Sequence, residues 1–311
     1  MTKYIIQRLF WLVLNLFFVS LITFFLLFLA PGDPALTLLK ARPGQEKNYE
    51  LMSSVRKHFG FDLPIHIQYL KFMGNLLNGD LGYSYFYKQP VRALLIDKFP
   101  ATALLAGLAW LFAQLLGLPM GILTALRRNS LLDRGYAVFG TLLISLPSFF
   151  FALLLIFVFA FQLDWLPPGG KGWTTHLILP VVSLALPMSV GYAVLLRTTL
   201  LTLFSADFAR TARAKGLAER IIVVRHVLPN ALIPVVTVAS IDLAYLLTGV
   251  VVIETVFSWQ GLGMVASRAA TQRDIPVVMG SVLFGAVLIG AGNLIADLLV
   301  ARLDPRIKVG K

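Results

Sequence analysis

The sequence predicts an all-α membrane protein with six transmembrane helices. Hydrophobic residues make up 58% of its 311 positions and charged residues 14%, whereas an ordinary soluble domain has about 25% charged residues. The mean hydropathy is +0.81. Six apolar runs are each long enough to cross a bilayer, which takes about 20 residues. This composition excludes a disordered chain and argues against a nucleic-acid partner.

The first apolar run covers residues 9–30 and contains no charge. The core of a cleaved signal peptide is shorter, about 7–15 residues, and precedes a small-residue cleavage site. Here the run ends in Pro31-Gly32-Asp33-Pro34, which is typical of a helix stop. We therefore expect residues 1–30 to form a cytoplasmic end and a retained first span.

The remaining runs predict a core domain over residues 101–311. They cover residues 101–126, 136–162, 176–196, 229–257 and 276–301. Several contain proline or glycine, which membrane helices tolerate because neighbouring helices, hydroxyl groups or water satisfy the freed carbonyl groups.

Residues 31–100, between the first two spans, have ordinary polarity. Apolar residues recur at helical spacing over 51–59. A second helix is predicted over 64–78, with Pro64 near its start. We expect a small helical cap on the external side, over the mouth of a pore.

Basic residues predict the orientation. The chain has 27 Lys and Arg against 15 Asp and Glu, a net charge of +12. With a cytoplasmic N-terminus, fifteen basic residues lie in the inside segments and three in the short external loops. Short cytoplasmic loops carry the excess of Lys and Arg, so both termini are expected in the cytoplasm. The absence of cysteine excludes disulfides, thiolate metal sites and thiol catalysis.

The cytoplasmic loop 197–228 is unlike the others because it predicts a short basic helix that is capped by Ser205 or Asp207 and runs until Gly216. Gly216 suits the turn at its C-terminal end. Ala209 and Ala212 are small and three residues apart, so another backbone could approach that face closely. The pattern predicts a docking element, although composition alone would favour an ordinary basic loop.

The order of residues in this loop resembles the signature loop of permease subunits of ABC importers. That pattern is Glu-Ala-Ala, three residues, Gly, nine residues, Ile, one residue and Leu-Pro. In register are Ala212, Gly216, Leu228 and Pro229, whereas Arg210, Thr211 and His226 depart from the pattern. The run Arg-Thr-Ala-Arg-Ala-Lys-Gly over 210–216 is similar to the branch that imports dipeptides, oligopeptides, glutathione and nickel chelates.

Further stretches resemble the same branch along nearly the whole chain. They are residues 30–34 (APGDP), 61–64 (FDLP), 79–84 (GDLGYS), 254–263 (ETVFSWQGLG), 273–278 (RDIPVV) and 303–307 (LDPRI). Gln260 stands where the family commonly has proline.

The resemblance implies the type I ABC importer permease fold, in the plasma (inner) membrane of a prokaryote. It also implies four kinds of partner: a second, homologous permease subunit, two cytoplasmic ATPases, an external binding protein and the lipid bilayer. The residues implied in coupling to the ATPase are Ala209, Arg210, Thr211, Ala212, Arg213, Ala214, Lys215, Gly216 and Leu217. The sequence has no phosphate-binding glycine motif. We therefore expect no enzymatic activity and no cofactor in this chain, with ATP and Mg on the partner ATPases.

Four residues are candidates for the pathway or its gate. Asp242 and Glu254 lie within or near the end of the fifth run. A carboxylate inside a membrane usually faces the bundle interior or water, so each could line the pathway or form a structural pair. Gly261 and Gly263 follow in a turn that, as in the family, could form part of an external gate. The four histidines have no spacing suited to a metal site.

The sequence leaves alternatives open for both the substrate and the functional class. Peptides are the preferred substrate, with nickel, metal chelates and glutathione as alternatives, and the pairing could be homodimeric or heterodimeric. An ion-coupled secondary transporter is less favoured because no internal repeat is visible. A membrane enzyme is disfavoured because the polar groups do not converge on one site.

Overall fold

The computed structural model describes residues 2–29, 53, 62–170, 172 and 174–303. Apart from one isolated bridge, the regular structure of these residues is helical. The first helices are α1 (Thr2–Leu29), α2 (Ile65–Leu77), α3 (Val91–Leu126), α4 (Leu131–Ser145), α5 (Ser148–Leu155) and α6 (Thr175–Phe204). The others are α7 (Asp207–Ala214), α8 (Glu219–Ile221), α9 (Leu228–Leu247), α10 (Val251–Val256), α11 (Leu262–Gln272) and α12 (Ile275–Leu303). Two π-helical segments extend this set: Ile156–Gln162 continues α5, and Ile222–Val227 joins α8 to α9.

Five helical stretches of the described chain are long and apolar enough to cross a membrane. They are α1, α3, α6, the continuous stretch from α8 through α9, and α12. The pair formed by α4 and the extended α5 passes the same test, which makes six spans if the bent pair is one crossing. The predicted all-α membrane fold is confirmed.

The third span is bent, although the sequence predicted a single span over 136–162 with Pro147 inside it. Its two halves meet at 101°. Pro147 lacks a backbone N–H and disfavours helical geometry in the residue before it. Leu146 accordingly has φ −80° and ψ 131°, which is extended backbone.

The fifth span ends earlier than the predicted run over 229–257, because α9 ends at Leu247. Gly249 then has φ +103°, and a Cβ on it would lie 2.6 Å from the backbone nitrogen of Gly263. Only glycine combines this backbone geometry with so close an approach. Glu254 therefore lies in the separate short helix α10 rather than in the span.

The core of the bundle is built on α3 and α6, which approach each other closely. A Cβ on Gly117 would lie 2.5 Å from the carbonyl oxygen of Ser189, and one on Gly121 would lie 2.8 Å from that of Ala193. Small residues allow such contacts between membrane helices. The indole of Trp110 in α3 also donates to a backbone carbonyl of α9 at 2.7 Å.

On the predicted external side, α2 agrees with the helix expected over 64–78, and its Tyr69 hydroxyl lies 2.9 Å from Ser20 of α1. The helix predicted over 51–59 falls outside the described residues, apart from one position. The Ser84 hydroxyl donates to the Asp274 carboxylate at 2.5 Å. This contact joins two sequence motifs that lie far apart in the chain and fastens the segment before α3 to the start of α12.

Candidate functional site

The loop helix α7 forms within the segment that was predicted to be helical. It begins at Asp207 and ends at Ala214, two residues before Gly216, and its N-cap is Ala206 with no side-chain cap, so the predicted capping by Ser205 or Asp207 is wrong. Gly216 has φ +77°, and the N–H of Leu217 returns to the Ala212 carbonyl at 3.3 Å. The glycine therefore ends the helix by a left-handed turn.

The small face of α7 is turned towards the protein itself. Ala209 is 0% exposed and Ala212 is 7% exposed, and both belong to the hydrophobic core together with Ile222 and Val227. The chain's own π-helical segment, Ile222–Val227, packs against α7. The alanines anchor α7 to the membrane domain, and any partner has to bind the opposite face.

That opposite face is exposed and basic. Its exposed members are Arg210, Thr211, Arg213, Ala214, Lys215, Gly216 and Leu217. The Arg210 side chain is 70% exposed, and its distance of 3.8 Å from Asp207 makes a weak ion pair. A protein with an acidic groove could therefore contact this face without displacing the core contacts of α7.

Arg213 connects α7 to the helices on both sides of it. Its Nε and Nη2 donate to the Glu219 carboxylate at 3.0 and 2.6 Å. Its Nη1 donates to the Phe204 carbonyl oxygen at 2.8 Å. The hydrogen bonds with Glu219 raise the pKa of the Arg213 guanidinium above its usual range. One side chain thus joins α7 to the last turn of α6 and to the first residue of α8.

A second ion pair lies near the same end of the bundle. Arg197 of α6 donates from Nε and Nη2 to the two carboxylate oxygens of Asp133 at 2.7 and 2.8 Å. The N–H of Asn129 also donates to this carboxylate at 2.9 Å. This paired geometry connects the turn after α3 and the start of α4 to α6, ten residues before α7 begins.

Glu254, one of the pathway candidates, is fully buried in α10. Its Oε1 accepts from the Thr102 hydroxyl at 2.7 Å, and its Oε2 accepts from the N–H of Met264 at 2.9 Å. The N–H of Leu262 in turn donates to Thr102 at 2.8 Å. These contacts fold the segment between α9 and α11 against α3, so the geometry favours a packing role over pathway lining.

The two gate glycines surround the same carboxylate. A Cβ on Gly261 would collide with Glu254 and Thr102, and one on Gly263 would lie 2.7 Å from the backbone of Val251. We call Thr102, Glu254, Gly261 and Gly263 the glycine cluster. The structure thus brings three of the four pathway and gate candidates together.

Asp242 lies apart from the glycine cluster, within α9. Its Oδ2 accepts from the hydroxyl of Tyr192 in α6 at 2.8 Å, and the residue is partly exposed. A carboxylate at the centre of a membrane costs about 2.5–3.5 kcal/mol on insertion scales. Its open side is therefore expected to face protein or water rather than lipid.

Sequence reasoning missed Thr102, Tyr192 and the pairing of Asp133. Asp133 follows Ser130 by three residues, and the N–H of Asp133 donates to the Ser130 hydroxyl at 3.2 Å. This is a recognisable helix-start pattern that could have marked the turn. A lone hydroxyl residue inside an apolar run has no comparable signal. Among the described residues, no group of three or more His, Asp or Glu side chains could hold a metal ion.

Both halves of the chain match known protein families. Residues 117–309 match the family described as "Binding-protein-dependent transport system inner membrane component". Residues 1–106 match the family described as "Binding-prot-dependent transport system membrane comp, N-term".

Two curated relatives match over almost the full length. The oligopeptide transport system permease protein AppB of Bacillus subtilis (strain 168) is 35% identical, with 99% of this chain and 100% of that protein covered. The glutathione transport system permease protein GsiC of Escherichia coli (strain K12) is 35% identical, with 99% of each covered.

The fold resembles a solved structure of the MetNI methionine ABC transporter in an inward-facing conformation. The TM-score is 0.55 and the identity 21%, with 68% of this chain and 96% of that chain covered. At this identity the likeness concerns the fold alone.

Proposed function

This chain belongs to the family of binding-protein-dependent transport system inner membrane components and is an ABC importer permease, and we propose that it forms half of a peptide pathway. In this proposal a second permease subunit supplies the other half, and an external binding protein delivers the substrate. Two cytoplasmic ATPases drive the transport. ATP and Mg bind to those subunits, so this chain carries no cofactor.

The observation that carries the proposal is the placement of α7. Its small face is fixed to the membrane domain, its basic face is exposed, and Arg213 ties it to the helices before and after it. An ATPase bound to the exposed basic face would therefore move α6 and α9 together with α7. Such rigid-body coupling changes the relative free energies of inward-open and outward-open states.

The proposed substrate class follows from the relatives' names, which specify oligopeptides and glutathione. Glutathione is itself a small peptide with a free amino group, so one pathway chemistry suits both. Nickel or a metal chelate is the second candidate, because the sequence motifs resemble a branch that includes such importers. A competition experiment distinguishes the two candidates. If the substrate is a peptide, glutathione should reduce the uptake of trialanine and a nickel chelate should not.

The test uses the complete transporter in proteoliposomes with its binding protein and ATPases. We expect trialanine uptake to require ATP, and Gly216→Val to lower it at least about tenfold, because a β-branched residue is strained at φ +77°. Gly74→Val is the matched control, since neither glycine has a neighbour within 4 Å of a Cβ and only Gly216 has a positive φ. Uptake without ATP, or equal uptake by both variants, would contradict the proposal.

A further inference from the structure

We propose that Asp242, oriented by Tyr192, binds the ammonium group of a substrate during its passage through the membrane. This inference rests on the proposed function, because it requires that the chain line a pathway. It adds a specific binding residue and a chemical class of ligand to that pathway.

The first argument is the charge balance around Asp242. Among the described side chains, no Lys, Arg or His lies within 4 Å of its carboxylate. The residue nevertheless lies inside the fifth membrane span, five positions before α9 ends. A carboxylate in that environment needs water or a cation from outside this chain.

The second argument is the orientation of the carboxylate. Tyr192 is 2% exposed and therefore held in place by its surroundings, and its hydroxyl donates to Oδ2 of Asp242 at 2.8 Å. No described residue donates to Oδ1, and this atom is not among the buried polar atoms without a partner. One oxygen is thus fixed by the protein, and the other remains accessible to a ligand.

The third argument is the side of α9 that carries Asp242. Val238 and Tyr245 lie four residues before and three residues after Asp242, so all three share one side of α9. Val238 is 38% exposed and Tyr245 is 66% exposed. A carboxylate and an exposed aromatic residue on the same side of a helix suit an ammonium group, which can form a charge-assisted hydrogen bond and a cation–π contact.

Other cations could also occupy this position, and the strongest competitor is a Lys or Arg of the partner permease. The ammonium of a substrate is favoured by the open tyrosine ring and by the relatives, whose named substrates carry free amino groups. A partner cation would contribute to subunit assembly with every substrate, whereas a substrate site would discriminate between substrates. The experiment therefore measures whether Asp242 affects discrimination between substrates or the assembly of the subunits.

The test compares trialanine with N-acetyl-trialanine, which lacks the ammonium, in proteoliposomes that hold the complete transporter. Uptake of each peptide is measured at a concentration that saturates the binding protein. We expect Asp242→Asn to lower the ratio of free to acetylated peptide uptake about tenfold, through loss of a charge-assisted contact. All variants use the same binding protein, so its own preference cancels when their ratios are compared.

Two further variants complete the design. Tyr192→Phe removes only the orienting hydroxyl, so its ratio should fall between those of the wild type and Asp242→Asn. Ser240→Ala is the control, because that hydroxyl bonds only to the Val236 carbonyl of its own helix, at 2.8 Å. It should leave the ratio unchanged.

The outcomes separate this inference from the proposed function. No uptake of trialanine by the wild type would contradict the peptide function itself. Normal wild-type uptake with an unchanged ratio in Asp242→Asn would overturn the ammonium site alone. A loss of assembled permease pairs in Asp242→Asn would also overturn it and would assign the carboxylate to a subunit contact.

Discussion

Two acidic residues that looked alike in the sequence have different surroundings in the fold. Glu254 is fully buried, and each of its oxygens accepts a hydrogen bond from a donor in another segment. Asp242 has one partner and one accessible oxygen. A buried carboxylate is tolerated only when its oxygens are satisfied, whereas one that binds a passing ligand must keep an open position.

At the residue scale, Glu254→Gln tests the packing role of the glycine cluster. An amide has a single acceptor oxygen, so either the Thr102 hydroxyl or the N–H of Met264 loses its acceptor. An unsatisfied buried donor costs about 1–3 kcal/mol. We expect a lower free energy of unfolding, seen as a lower Tm of the purified permease complex.

Thr255→Val provides the control in the same short helix. Thr255 is exposed, and its hydroxyl bonds only to the Val251 carbonyl of its own turn, at 2.6 Å. Its Tm should match that of the wild type. A wild-type Tm for Glu254→Gln would show that the cluster does not depend on the carboxylate.

At the element scale, α7 behaves as part of the membrane domain because several independent contacts fix it. Buried alanines hold one face, and Arg213 joins its last turn to Phe204 and Glu219. The coupling of ATP hydrolysis to transport should therefore depend on Arg213 more than on the exposed Arg210.

A double-mutant cycle on Arg213→Ala and Glu219→Ala tests this dependence. Each single variant should lower the peptide transported per ATP hydrolysed several-fold, and the double variant should be little worse than Arg213→Ala. Arg134→Ala, at an exposed arginine of α4 that lies outside α7, is the control for a general loss of positive charge and should leave this ratio unchanged. Strictly additive losses would show that the Arg213–Glu219 pair does not act as a unit.

Hydropathy alone identified the spans, because crossing a bilayer imposes a length and a composition. It could not predict the bend at Pro147, since proline is also common in continuous membrane helices. The early end of α9 depends on the approach of Gly263 to Gly249, a contact between separate segments. The loop helix was predictable from local residues, but which of its faces is buried depends on Ile222 and Val227.

At the scale of the whole molecule, α7 and the glycine cluster belong to opposite ends of the bundle. The loop helix follows α6, and the cluster lies after the other end of α9, so one crossing separates them. The helix before α7, α6, carries Tyr192, and the helix before the cluster's segment, α9, carries Asp242. If α6 moves with α7, as proposed, the hydrogen bond between Tyr192 and Asp242 lies on a helix that moves.

The central claim is that the exposed face of α7 binds a cytoplasmic ATPase. The chain contains no cysteine, so single-cysteine variants can be labelled without background. Arg210→Cys tests the basic face of α7. Leu77→Cys, at a residue that is 83% exposed in α2, serves as the reference for the external side.

The measurement is labelling with a membrane-impermeant maleimide, with and without the assembled ATPases. The account predicts that Arg210→Cys reacts only in inside-out vesicles and is protected when the ATPases are present, while Leu77→Cys reacts only from the outside. Labelling of Arg210→Cys from the outside, or labelling unaffected by the ATPases, would contradict it.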